Sequence, residues 1–168
     1  MHITVKNLIN IQKEIKNELN VLNYKNLPTI IAVSKTFKID KILPLIEHGH
    51  INFGENKVQE ALDKWTEVKL RNPNIQLHMI GKLQRNKVKF AVKLFDYIHS
   101  VDSEKLADKI VNEQLKINRK IKIFVQVNIG NEDQKYGINK NRVFNLVSYC
   151  IKINLDVLGL MFILQANI

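Results

Sequence analysis

The sequence predicts an α/β fold in which parallel strands roll toward a TIM-type barrel, and three observations carry that prediction. Apolar runs of strand length alternate with amphipathic helical segments six times along 168 residues, the pattern of a parallel sheet with crossover helices. The first run, Thr29-Ile30-Ile31-Ala32-Val33, is apolar and mostly β-branched, which is how a parallel strand buried on both faces reads. The first strand-to-helix turn, Ser34-Lys35-Thr36-Phe37-Lys38, holds no glycine. A doubly wound nucleotide-binding sheet usually carries a glycine-rich phosphate turn there, so the barrel leads. An eight-unit barrel takes about 250 residues, and at least about 200. This chain is therefore expected to hold an N-terminal helix and about six of the eight β/α units.

Each element follows from local pattern. Val5, Leu8, Ile11, Ile15, Leu19 and Leu22 recur at steps of three and four, an amphipathic helix over 3–23. Residues 23–28 break that pattern, and 29–35 form the first strand. Ile42, Leu43 and Ile46 place a helix over 39–48, closed by Gly49, before a short strand at 51–53. Gly54 lets the chain turn out of that strand into a helix with Val58, Ala61, Leu62 and Trp65 on one side; Glu55 and Asn56 then lie at its N-terminus. Pro73 ends that region. Strands follow at 76–80, 97–101, 121–129 and 155–161, with helices at 83–94, 103–117 and 140–151. Ser103 is placed to cap the fifth helix. Nothing in the chain reads as a linker or a second domain, so 1–168 is expected to be a single, incomplete β/α-barrel domain.

Composition excludes several function classes. The chain is 45% hydrophobic and 25% charged, a globular rather than a disordered balance. One cysteine, Cys150, allows no intramolecular disulfide, and no Cys/His cluster has zinc-ligand spacing, so no metal is expected. No apolar run approaches the ~20 residues that cross a bilayer, and the N-terminus lacks a signal-peptide apolar region. These features place the protein in the cytoplasm, off the membrane. With 26 Lys+Arg against 16 Asp+Glu the formal charge is +10. The lysines are scattered, without a basic block or interleaved aromatics, so no specific nucleic-acid partner is expected.

In a barrel, chemistry sits at the carboxyl ends of the strands. Lys35 follows the first strand directly. A lysine at the mouth of an apolar barrel is partly desolvated, which disfavours its ammonium form, and a free amine can form a Schiff base with an aldehyde; the bland reading is a surface lysine. Asn56 either caps the following helix or offers its amide to a ligand. His78 reads as a satisfied core histidine rather than a base. Lys82, Arg85 and Lys87 bring positive charge near the third strand end, or form solvated helix surface. Asp102 and Ser103 read as capping residues, and 128–137 as a polar loop with two glycines. No Ser/His/Asp triad or paired-carboxylate spacing stands out.

Taken together these segments resemble one family. Ala32-Val33-Ser34-Lys35-Thr36, Phe53-Gly54-Glu55-Asn56-Lys57-Val58-Gln59-Glu60, His78-Met79-Ile80-Gly81-Lys82-Leu83-Gln84-Arg85-Asn86-Lys87, Ser100-Val101-Asp102-Ser103, Gln126-Val127-Asn128 with Glu132, Lys135 and Gly137, and Gly159-Leu160-Met161 are similar, in order and spacing, to the pyridoxal phosphate homeostasis proteins. The resemblance implies a single barrel like the N-terminal barrel of alanine racemase. It implies pyridoxal 5′-phosphate (PLP) held as a Schiff base on Lys35, with Asn56 beside it. It implies a role in intracellular PLP homeostasis, as a monomeric carrier that can serve PLP-dependent apoenzymes and is not an established catalyst. A PLP-dependent amino-acid racemase is the alternative. Family members continue beyond Gly-Leu-Met with segments that hold the cofactor phosphate. Here Phe162 to Ile168 follow instead, so a truncated copy that binds weakly or not at all is also expected.

Overall fold

The computed structural model describes residues 1–129 and 136–164. Helix α1 (Ile3–Val21) precedes strand β1 (Ala32–Val33). There follow α2 (Leu43–Glu47), β2 (Asn52–Glu55), α3 (Val58–Arg71), β3 (Gln76–Met79), α4 (Val88–Leu94), β4 (Tyr97–Val101), α5 (Glu104–Lys116), β5 (Lys122–Asn128), β6 (Ile138–Asn139), α6 (Val143–Lys152) and β7 (Asp156–Met161). Strands β1 to β5 pair in chain order, and β5 also pairs with β6 and with β7. Every pairing is parallel. Among the described residues β1 pairs only with β2, and β6 and β7 each pair only with β5, so that no ladder joins β1 to β7 in this β/α barrel sheet.

Side chains alternate across each strand, and the register sorts them. Val33 lies opposite Gly54, Gly54 opposite His78, and His78 opposite Tyr97. Phe53, Leu77, Ile98, Ile123 and Val125 occupy the other face, against the helices, and none is measurably exposed. There Phe53 packs on Trp65 of α3 with ring centroids 4.9 Å apart. Ala61, Val88, Ala91, Ala107, Ile110, Leu146 and Cys150 complete this layer. Each large side chain buried here contributes about 1.5–3 kcal/mol.

Four helices stop by the same device. Asn23, Asn118 and Asn154 follow the C-caps of α1, α5 and α6 with φ of 56°, 49° and 65°, and Gly49 follows that of α2 with φ of 91°. A left-handed residue at this position turns the chain away from the helix axis, and asparagine tolerates it better than other side chains.

The expected elements are present, with differences that have physical causes. The first strand is two residues long rather than seven: only Ala32 and Val33 find ladder partners, Phe53 and Gly54 of β2. The helix expected over 39–48 begins as a 3-10 turn at Ile39–Lys41 and becomes α2, with Pro44 in its first turn. The helix expected from 83 likewise begins as a 3-10 turn, Arg85–Lys87, before α4. Strand β6 is too short to show a period and owes its conformation to β5, through Val127 opposite Ile138 and Asn128 opposite Asn139. In α1 only Val5 and Leu8 are fully buried; Ile9, Ile15 and Leu19 are half-buried, and Ile11 and Leu22 are exposed. Gly54 is inside β2 rather than at a turn. A Cβ there would lie 3.1 Å from Ile80 and 3.2 Å from Ile31, so the glycine admits those side chains across the sheet.

Candidate functional site

Most of the residues singled out in the sequence follow the carboxyl ends of β1, β2 and β3; Asn56, Lys82 and Lys87 share one cleft, and Lys35 is not among its lining. Lys35 lies in the turn immediately after β1. Ser34 starts that turn, donating its backbone N–H to Gly54 O at 2.9 Å and accepting from Phe37 N at 3.2 Å. Thr36 has φ of 69°, strained for a β-branched residue. Lys35 itself is exposed; the partial desolvation expected from an apolar mouth is not found, since it stands in the turn beyond the two-residue β1.

Asn56 stands two residues beyond Gly54, as Lys35 stands two beyond Val33, and Val33 and Gly54 are paired. The asparagine does not cap α3. Lys57 holds the N-cap position, without a side-chain cap bond. The Asn56 carbonyl oxygen Oδ1 is buried without a hydrogen-bond partner, a state that costs about 1–3 kcal/mol unless a ligand or water supplies a donor. Gly81, after β3, presses on the same residue. A Cβ at 81 would lie 2.3 Å from Asn56 O and 2.7 Å from Asn56 Cα, so only glycine allows this loop so close. Beside Asn56 opens a cleft of about 410 Å³ lined also by Lys57, Val58, Gln59, Met79, Lys82, Gln84, Lys87 and Tyr136. Lys82 Nζ sits 4.3 Å above the Tyr136 ring, and Lys57 pairs with Glu60.

Glu55, expected at a helix N-terminus facing the mouth, is instead the last residue of β2. It is fully buried on the helix-covered face. The strand runs two residues further than its short apolar stretch implies, because β1 and β3 hold its backbone on both sides. Its Oε1 accepts from Ser34 Oγ at 2.7 Å, Lys64 Nζ at 2.9 Å and Trp65 Nε1 at 2.9 Å.

The opposite face carries a histidine layer that sequence reasoning only half found. His78 Nδ1 lies 3.0 Å from His99 Nε2, and His78 Nε2 lies 3.1 Å from Asn52 Oδ1. His78 stacks on Tyr97 and His99 on Phe124, with centroids 4.2 and 4.4 Å apart. Burial pushes both imidazoles down to about 4, and for His78 the neighbouring His99 adds to the effect. Neutral rings let His99 donate to His78 and His78 donate to Asn52. His78 is thus the satisfied core histidine expected. His99 and Asn52 were missed as its partners; histidines spaced to adjacent parallel strands were the available signal.

The remaining candidates separate. Ser103 occupies the N-cap position of α5 but makes no side-chain cap bond. It lines a cleft with Asp102, Arg142 and Asn145, away from Lys35. Glu132 and Lys135 lie outside the described residues. Gly137, with φ of 117°, lets the chain lie against β5: a Cβ there would be 2.8 Å from Asn128 N. Among the described residues no group of three or more His, Cys, Asp or Glu gathers to hold a metal, and no helix is long and apolar enough to cross a membrane.

Comparison with known proteins bears on this arrangement. The alanine racemase N-terminal domain family matches residues 7–167. The pyridoxal phosphate homeostasis protein of Haemophilus influenzae is 34% identical over 160 residues, covering 94% of this chain and 67% of its own length. That of Pasteurella multocida is 32% identical over 142 residues, covering 84% and 61%. PipY of Synechococcus elongatus PCC7942, solved with PLP bound, superposes with a TM-score of 0.76 at 32% identity, over 92% of this chain and 72% of PipY. The chain spans about three-fifths to two-thirds of the length of these curated relatives. On these matches, the chain belongs to the alanine racemase N-terminal domain family, and within it to the pyridoxal phosphate homeostasis proteins.

Proposed function

We propose that this chain binds PLP at the carboxyl ends of β1 and β2 and takes part in vitamin B6 homeostasis as a carrier rather than a catalyst. The observation that carries the reading is that an accessible amine, Lys35, and a buried, unpartnered amide oxygen, Asn56 Oδ1, each lie two residues beyond a paired strand residue, Val33 and Gly54, at the same end of the sheet. When bound, the cofactor supplies an aldehyde that condenses with a primary amine. Lys35 supplies that amine. Asn56 offers a side-chain amide beside it, and Gly81 holds Asn56 in place by close backbone contact. The lysines around the adjoining cleft, Lys57, Lys82 and Lys87, favour an anionic ligand. PipY, which shares this fold, was solved with PLP. The same reading makes 1–168 one barrel domain at work in the cytoplasm, with PLP-dependent apoenzymes as recipients. The buried, free Cys150 suits reducing surroundings.

The test is titration of the chain with PLP, followed by visible-range absorbance, borohydride trapping and peptide mapping. One label on Lys35, lost in Lys35→Ala, is expected. Asn56→Ala should weaken binding about tenfold with little loss of stability, because Asn56 caps no helix. Labels spread over many lysines, or unchanged in Lys35→Ala, would overturn the reading. Conversion of L- to D-alanine would make the chain an enzyme instead.

A further inference from the structure

We infer that Ser34, Glu55 and Lys64 form a clamp that positions Lys35 from the far side of the sheet, so that Glu55 is a positioning residue for cofactor capture although it faces away from the mouth. This deepens the PLP reading and rests on it.

Every polar atom of Ser34, the residue before Lys35, is engaged. Its N–H donates to Gly54 O at 2.9 Å. Its hydroxyl lies 2.7 Å from Glu55 Oε1 and 3.3 Å from Gly54 O. Its carbonyl accepts from Lys64 Nζ at 2.8 Å, and from Phe37 N at 3.2 Å across the turn. Lys64 reaches both Ser34 O and Glu55 Oε1 from α3, its side chain only 13% exposed. Trp65, one residue along α3 and fully buried, fixes Glu55 through its indole N–H. The clamp therefore ties the start of the Lys35 turn to the most buried part of α3.

The turn needs such an anchor. Strand β1 is two residues long, pairs among the described residues with β2 alone, and leads into Thr36 at φ of 69°. A strand of two residues with a strained successor has too short a ladder to hold the turn by itself. An exposed lysine carries a large rotamer freedom. Fixing its Cα is how the fold limits the search of its amine for the aldehyde. Glu55 is a costly residue to bury, and its second oxygen, Oε2, has no partner. A carboxylate kept for packing alone would be replaced by an apolar side chain at no loss; here its whole bonding goes to the Lys35 turn and to the helix that braces it.

Ser34→Ala removes one hydroxyl and is expected to fold. Circular dichroism and Trp65 fluorescence check this, and all comparisons are made under conditions where each variant is native. Ser34→Ala and Glu55→Gln are expected to lose hydrogen-exchange protection at the Phe37 amide. They should also raise the Kd for PLP at least tenfold and slow borohydride-trapped labelling of Lys35, while Ser34→Thr, which keeps the hydroxyl, restores all three. Unchanged PLP affinity in folded Ser34→Ala, or equal losses in Ser34→Thr, would overturn the clamp. Should Glu55→Gln not fold, Lys64→Met serves in its place, with the same expected and overturning results. Failure of the wild-type chain to take PLP at all would instead sink the cofactor reading. The clamp is then decided by Phe37 exchange and by the rate of formaldehyde reductive methylation at Lys35, and unchanged values in Ser34→Ala would overturn it.

Discussion

A methyl group added at position 81 has no room: its nearest neighbours are backbone atoms of Asn56 at 2.3 and 2.7 Å, which cannot rotate aside. Gly81→Ala should therefore lose about 1–3 kcal/mol of stability by overpacking and move Asn56, so that PLP binding weakens along with folding. Urea denaturation and PLP titration on the same variant check this; a stable variant with native affinity would show that the mouth yields. At this scale the sequence was informative in parts. Lys35 and Asn56 could be picked out because they follow strand-like runs. The exposure of Lys35, the unpartnered Oδ1 of Asn56 and the inward turn of Glu55 could not, because each depends on which strands flank β1 and β2. One residue of strand length decides whether Glu55 faces the ligand or the core.

Among elements, α5 shows how a helix boundary is encoded. Leu106, Ala107 and Ile110 face the sheet, and Asn118 ends the helix in the left-handed region. Asn118→Ala should cost about 1–2 kcal/mol, since alanine pays the full left-handed penalty, whereas Asn118→Gly should be close to neutral. Trp65, the chain's one tryptophan, reports the unfolding midpoint by fluorescence. Equal destabilisation by alanine and glycine would show that the Asn118 side chain itself matters. The helices and long strands were legible because period and punctuation are local properties. The 3-10 starts of α2 and α4 and the two-residue β6 were not: the first are adjustments of a helix end to its neighbours, and β6 is extended only because β5 offers it hydrogen bonds.

For the whole molecule, the histidine layer sets a pH dependence. Both His78 and His99 are held at about 4, below the ordinary 6.5, chiefly by burial; for His78, Asp96 pulls the other way and Lys69 adds to the lowering. Between those values the unfolded chain binds more protons than the folded one, so stability rises with pH across the window and is lost as pH falls from about 6.5 to 4. A tenfold difference in proton affinity is worth about 1.4 kcal/mol. Allowing for solvent relaxation and for coupling between the rings, the pair should lose on the order of 2–4 kcal/mol. Urea midpoints at stepped pH check this. A His78→Gln/His99→Gln double variant should be flatter over the same range, and an unchanged slope would assign the effect elsewhere.

The sequence by itself determined the α/β class, the order of helices and parallel strands, the apolar face of each long helix and the family to which Ala32-Val33-Ser34-Lys35 and Phe53-Gly54-Glu55-Asn56 belong. These are short-range properties, written in period, turn residues and motif spacing. Tertiary structure decided the rest. It paired Val33 with Gly54, and so ended β1 and β2 at the same end of the sheet, with Lys35 and Asn56 each two residues beyond that pair. It closed His78 onto His99, and turned Glu55 inward to hold Ser34. Register between strands joins residues about twenty positions apart, and no local pattern carries that information. It is fixed only when helices and sheet bury their apolar faces together.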